Sequence, residues 1–373
     1  MTRRFAYLFA TLLLLIGCVD PYQPPAITAP NRYLVVDGLL TTDTSRIQLS
    51  RTQNLGESTK PSPELGATVR VEETGGAAYT LADKGQGLYA LESARLVVGR
   101  TYRLTIRTKA GGTYQSAPIT MKATPAIDSL TWAVENSGLQ IFVNTHDPAN
   151  RTRYYRWTYE DTYEFYTPYL STLDFVNGRV VQREPVNHCW RTAPSTAIVI
   201  GSTARLSQDV LQRAPLLFIP GSSPKLNVKY SLLVQQYALS AEAYAYWLNL
   251  QKTTEQLGSL FDPLPAQVVG NLTCLTNPDE PVLGFVDAST VVQRRVFIDR
   301  PAALPRNLIR TGYEGCFVDT IPKPRQPLSA FVGLGGGYAL IQNLERDGLY
   351  LGVATPCADC RDRGTVVKPS YWP

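Results

Sequence analysis

The sequence predicts a mainly β fold, with an N-terminal immunoglobulin-like or transthyretin-like β-sandwich followed by a larger β-rich domain carrying one or two helices. Short runs that alternate apolar and polar residues recur along most of the 373 residues. Gly and Pro together fill 54 positions, many of them between those runs. Only one stretch keeps a helical period for several turns. Strand side chains alternate between faces, whereas a helix repeats every 3.6 residues, so the two patterns separate in sequence.

The first element, residues 1–17, reads as a leader and stands outside the fold. Arg3 and Arg4 precede the apolar run Phe5 to Ile16, and Gly17 and Cys18 follow it. That run would span about 18 Å as a helix, too short for a bilayer core of about 30 Å. Leu15 and Gly17 before Cys18 form the pattern of a lipoprotein export signal, cleaved after Gly17 and acylated on the Cys18 thiol. Each buried methylene adds about 0.8 kcal/mol, and several acyl chains hold effectively permanently. A membrane reached through N-terminal lipid is therefore the first expected partner. Residues 18–30, with Pro21, Pro24, Pro25 and Pro30, read as an extended tether.

Residues 31–124 carry the predicted sandwich. Val69 and Val71 alternate with Arg70 and Glu72, and Tyr102, Leu104 and Ile106 alternate with Arg103, Thr105 and Arg107. Gly75-Gly76, Gly85, Gly87, Gly99 and Gly111-Gly112 fall where turns are needed. Pro125 to Asp128 marks the boundary of the second domain, 125–373. Strands are predicted at Leu139 to Val143, Arg153 to Tyr163, and from Leu226 through Tyr230 and Leu232 to Val234. Three more follow, at Val268 to Leu275, Val282 to Val286 and Val291 to Ile298. The convincing helix lies near 241–257, with Ser240 as N-cap, Ala243, Tyr246, Trp247, Leu250 and Leu257 on one face, and Gly258 as its stop. A shorter helix is expected from Gln208 to Arg213, ended by Pro215.

Without Arg3 and Arg4 the formal charge falls from +5 to +3. No basic patch forms, so nucleic acid is not an expected partner. Beyond Cys18, the cysteines are Cys189, Cys274, Cys316, Cys357 and Cys360. An oxidising compartment makes disulfides their expected fate, and the odd count leaves one thiol over. Cys357-Ala-Asp-Cys360 has CxxC spacing, but no second pair and few histidines accompany it, and only thirteen residues follow. Structural disulfides stapling the C-terminal tail are expected, and no metal or cofactor.

No catalytic residue is expected. HExxH, GxSxG and Walker-type motifs are absent. Ser222-Ser223-Pro224-Lys225 fits SxxK in letters, but Pro224 and the strand that follows deny it a helix. Gly333 to Gly337 lacks a lysine or a helix start. His188 beside Cys189-Trp190 suits disulfide packing, and His146-Asp147-Pro148 suits a turn. Glu160, Asp161 and Glu164 are the carboxylates that could serve as general acid and base, giving a glycan or peptide hydrolase as the alternative function. The aromatic run offers a candidate binding surface in Tyr155, Trp157, Tyr159, Tyr163 and Tyr166. Exposed, these rings would stack on a ligand; buried, they are sheet core.

The stretches Tyr237-Ala-Leu-Ser240 with Trp247, Gly258-Ser-Leu-Phe-Asp262, Gly270-Asn-Leu-Thr-Cys274, Asn277-Pro-Asp-Glu-Pro281 and Gly284-Phe285 resemble the lipoproteins of domain-of-unknown-function family 4249 of Bacteroidota. The tail from Cys357-Ala-Asp-Cys360 to Lys368-Pro-Ser-Tyr-Trp372 belongs to the same resemblance. It implies an outer-membrane lipoprotein, often encoded beside a TonB-dependent receptor, and brings no activity or catalytic residues. Asp20 is the one acidic residue between Cys18 and Pro21, in place of an acidic cluster, so the resemblance does not choose between the two faces of the membrane. The leading expectation is a non-enzymatic accessory lipoprotein that docks with, or captures ligand for, such a transporter. A purely structural envelope protein is the third possibility.

Overall fold

A computed structural model describes residues 32–53, 61–92, 96–177, 179–255, 270–322, 337–344 and 349–373. Gly17, Cys18, the Pro-rich tether, Leu257, Gly258 and Gly333 to Gly336 lie outside the described residues. The chain is mainly β, as the alternation predicts. No helix among the described residues is long and apolar enough to cross a membrane.

The sandwich begins with β1 (Leu34–Leu40), β2 (Ser45–Arg51), β3 (Thr68–Glu73), β4 (Ala78–Thr80) and β5 (Ala82–Asp83). It continues with β6 (Leu88–Leu91), β7 (Thr101–Arg107), β8 (Thr113–Ser116) and β9 (Ile119–Thr120). Val69, Val71, Tyr102, Leu104 and Ile106 turn inward and meet Leu34, Val36, Ile47 and Leu49 in one core. The period-2 pattern therefore set both the strands and their buried faces.

The second module opens with β10 (Ile127–Glu135), β11 (Gly138–His146), β12 (Tyr154–Tyr166), β13 (Leu173–Val176) and β14 (Arg179–Gln182). Next come β15 (His188–Pro194), β16 (Val199–Ser202), β17 (Val210–Pro220) and β18 (Lys229–Ala238), then the helix α1 (Ala241–Glu255). Ser240 caps α1, its Oγ accepting the Ala243 N–H at 3.0 Å. The chain then forms β19 (Leu272–Cys274), β20 (Leu283–Ala288), β21 (Val291–Asp299), β22 (Asp319–Pro322), β23 (Tyr338–Leu344) and β24 (Leu349–Ala354).

Two of these late strands correct the expected domain division. β20 pairs in parallel with β1, from Val35 opposite Leu283 to Leu40 opposite Ala288. β19 pairs with β8. The sandwich sheets run β20-β1-β2-β6-β5 and β19-β8-β7-β3-β4, with β9 beside β7. The sandwich is thus built from β1 to β9 plus a return segment, 272–288, that the boundary at Pro125 had given to the second domain. A parallel pair needs a long crossover, and here the crossover contains most of the second module. Gly284 makes the close approach feasible: its φ is +114°, and a Cβ there would sit 1.8 Å from the Val36 carbonyl oxygen.

The second module is also a pair of packed sheets, β10-β11-β17 against β15-β12-β18-β21, with β16 beside β12. Leu139, Ile141 and Val143 of one sheet meet Tyr155, Trp157, Tyr230, Leu232 and Val234 of the other. The helix expected from Gln208 to Arg213 does not form: Gln208 and Asp209 lead into β17, which Val210 to Arg213 begin. Its residues pair with β11, and Pro215 sits at a register shift where Phe142 is opposite it and Ile141 is opposite Leu217. An edge strand tolerates a proline at such an irregularity. α1 is therefore the single α-helix among the described residues.

A small sheet, β22-β24-β23, and the hairpin β13-β14 cap this module. Two disulfides hold the tail: Cys189 with Cys360, and Cys316 with Cys357. The CxxC cysteines bond to separate partners rather than to each other. Cys274 is the thiol left over, buried in the sandwich core.

Candidate functional site

Strand β12 decides where chemistry can sit, because its two faces look into different surroundings. Tyr155 and Trp157 point into the core and are essentially inaccessible to solvent. The Tyr155 hydroxyl donates to the buried Asp209 at 2.5 Å, and the Trp157 indole N–H donates to Gln236 Oε1 at 2.8 Å. Burial and Asp209 push the Tyr155 hydroxyl well above its ordinary pKa. Residues on the opposite phase, Arg156 and Thr158, face out of this core and toward the sandwich.

There they line a cleft of about 640 Å³ between the two modules. Its walls come from four elements: Val35 and Asp37 of β1, Phe285 of β20, Arg156 of β12, and Tyr246, Trp247 and Leu250 of α1. The helix reaches both modules, packing on β12, β16 and β20. Tyr246, Trp247 and Leu250, which the sequence places on one helix face, are all half-buried. Tyr246 lies against Phe285 with ring centroids 5.3 Å apart, and against Trp247 edge to face at 5.5 Å.

Arg156 is the charged element of this wall. Its guanidinium lies 3.6 Å from the centre of the Trp247 ring, a cation–π contact that strengthens as water is excluded. Its Nε is buried without a hydrogen-bond partner. Burial holds the Arg156 pKa below the ordinary guanidinium value, with the charge of Asp37 the strongest opposing influence. A second cleft of about 730 Å³ adjoins the first and shares Asp37, Arg156 and Thr158 with it. Gln235, Tyr237 and Gln293 give that second cleft a polar lining. An apolar, aromatic compartment thus opens into a polar one across a single arginine, an arrangement suited to holding a small amphipathic molecule.

The five aromatic residues proposed as a binding surface do not form one. Tyr155, Trp157 and Tyr163 are buried, and Tyr159 packs half-buried on the same core. Sheet burial outweighed exposure because β12 is a central strand with β15 and β16 on one side and β18 on the other. Only Tyr166, at the strand end, is exposed. It stacks on His188 at 4.1 Å, which in turn lies 4.2 Å from Trp190.

The three carboxylates are separated rather than gathered. Alternation puts Asp161 on the opposite face from Glu160 and Glu164. Asp161 is buried, ion-paired with Lys225 and accepting from the Tyr230 hydroxyl at 3.4 Å. Glu164 bonds His188 Nε2 at 2.7 Å, and Glu160 lies 3.9 Å from Arg295. Lys225, the lysine of the SxxK letters, sits in a 3-10 turn capped by Ser223. Among the described residues no group of His, Cys, Asp and Glu could hold a metal ion.

Sequence reasoning missed Arg156, Asp37, Trp247 and Phe285 as one site. The one local signal was an arginine embedded in the run Tyr154-Tyr155-Arg156-Trp157.

Two β-sandwich modules joined by a shared helix and an interfacial cleft define the class of protein. The chain belongs to the family described as a domain of unknown function (DUF4249), whose model matches residues 19–295. The cleft residues all lie within that match, whereas the disulfide-held tail lies beyond it. No curated protein matches the sequence.

Proposed function

We propose that this protein is a non-enzymatic outer-membrane lipoprotein, anchored through Cys18, that captures a small ligand for a TonB-dependent transporter. The cleft between the modules is the observation that carries this reading. It combines aromatic walls, a half-buried arginine lacking a partner on Nε, and a polar extension. Apolar pockets with a few convergent polar groups are the usual form of ligand sites. The carboxylates that hydrolysis would require are instead held apart, each beside a basic side chain. The export signal read from Arg3 to Cys18 supports the envelope location.

Trp247 offers a direct test, since any occupant of the cleft changes its surroundings. Titrating the lipidated protein with the small-molecule fraction of a rich growth medium should change tryptophan emission, and Trp247→Phe should abolish the change. Crosslinking in intact cells should recover a β-barrel transporter. An unresponsive Trp247 together with no barrel partner under inducing conditions would refute the proposal.

A further inference from the structure

The two adjoining clefts share one cation and one anion that do not neutralise each other. Arg156 and Asp37 line both. Asp37 is exposed, at the rim on β1, and raises the arginine's basicity through space. It also acts on the Tyr246 hydroxyl, whose pKa burial raises, so all three groups share one field. Yet no hydrogen bond or ion pair joins Arg156 to Asp37. Elsewhere in the second module charges do close into contact pairs, as in Lys225 with Asp161 and Arg213 with Glu135.

Resting on the reading of this cleft as a ligand site, we infer that its ligand is a short peptide with free termini. The carboxylate would meet the Arg156 guanidinium, the ammonium would meet Asp37, and an apolar side chain would enter the aromatic compartment.

Other ligand classes fit less well. A fatty acid would satisfy Arg156 but bring its charge beside Asp37. A neutral glycan could hydrogen-bond both groups through its hydroxyls but would bring an opposing charge to neither. A zwitterion compensates both at once. Trp247 covers one face of the guanidinium and Nε is buried, so a carboxylate would meet the terminal Nη groups, in charge-assisted hydrogen bonds of the kind that arginine makes best. Amide groups between the termini would meet Thr158, Gln235 and Tyr237, which already form a hydrogen-bonded cluster: Thr158 Oγ1 donates to Gln235 Oε1 at 3.1 Å and the Tyr237 hydroxyl to the same oxygen at 2.9 Å. The two compartments, about 640 and 730 Å³, have room for two or three residues.

Calorimetric titration of the lipidated protein with Leu-Phe and Leu-Leu-Phe tests this, each peptide supplied free, N-acetylated and C-amidated. Free peptides should bind, and amidation or Arg156→Met should each weaken binding tenfold or more. Acetylation should weaken binding to the native protein but not to Asp37→Asn. Equal binding of free and amidated peptides, or an unaffected Arg156→Met, would overturn the inference. Should that variant fold poorly, the blocked peptides on the native protein decide alone. If medium components change Trp247 emission while no peptide binds, the peptide inference falls and ligand capture stands. If nothing binds, both fall.

Discussion

The sandwich and the second module reach the same architecture by different means. In the sandwich, the strands between Leu34 and Thr120 follow each other at short intervals, glycines close its turns, and its one cysteine is an unpaired core residue. In the second module the contacts that hold the tail span long stretches of sequence, and two disulfides fix them, closing separations of 171 and 41 residues. Backbone pairing alone holds the sandwich, its returning strands β19 and β20 included, so its stability depends on backbone fit. Long-range closure makes the second module's stability depend on covalent links, since such links chiefly restrict the unfolded chain. All five tryptophans, at 132, 157, 190, 247 and 372, lie in the second module, so their emission reports that half selectively.

The largest expected effect separates the halves by chemistry. Replacing Cys189 and Cys360 with serine removes the longer closure and should lower the stability of the second module by about 3–5 kcal/mol. The tryptophan-detected unfolding midpoint should drop, while hydrogen-exchange protection of β3 and β7 amides stays as in the native protein. Equal loss in both halves would mean that they unfold as one unit.

The converse substitution is Gly284→Ala. A Cβ at that position meets the Val36 carbonyl, and the backbone is in a conformation that favours glycine. A cost of about 2–4 kcal/mol is expected, concentrated in the sandwich. The same exchange measurement should show β1 and β20 amides deprotected first. Because Gly284 and Phe285 line the cleft, ligand binding should weaken as well.

A smaller effect is expected from Lys225→Met. It strips the buried Asp161 of its cation, but Lys225 is itself about a third exposed, so solvent screens part of the pair. A loss of about 1–2 kcal/mol is expected by denaturant titration. Adding Asp161→Asn should recover part of it, since the uncompensated charge is then gone.

These differences also explain what could be read in advance. The alternation at Val69 to Val71 and at Tyr102 to Ile106, and Ser240 ahead of an aromatic helix face, are local patterns, and the chain obeys them. β17 was misread because Gln208 to Pro215 lacks clear alternation, and its strand state comes from pairing with β11. The recruitment of β20 to β1 leaves no local mark, because nothing near Leu283 specifies a parallel partner nearly 250 residues earlier. The cleft was hidden for the same reason. The strand phase that buries Tyr155 and Trp157 turns Arg156 outward, but its neighbours Asp37, Trp247 and Phe285 arrive from three separate segments.

The smallest effect sharpens the comparison through pH. Both histidines, His146 and His188, belong to the second module, so near neutrality the described sandwich has no side chain of ordinary titration. His146 Nδ1 lies 2.7 Å from Asp128 Oδ2, and this hydrogen bond, with the charge of Asp128, raises the imidazole pKa above its ordinary value. With the folded value above the unfolded one, the stabilisation is complete below the unfolded pKa. It is lost as pH rises through the folded pKa. The histidine is solvent-exposed, so the change in stability should be slight and best seen site by site. In an NMR titration, His146 should deprotonate above the ordinary imidazole pKa, and Asp128→Asn should bring it down. Amides of β10 and β11 should move with it while those of β3 and β7 stay fixed. A titration of the sandwich amides in the same range would show that the modules are coupled through their shared helix and crossing strands more tightly than the separate cores imply.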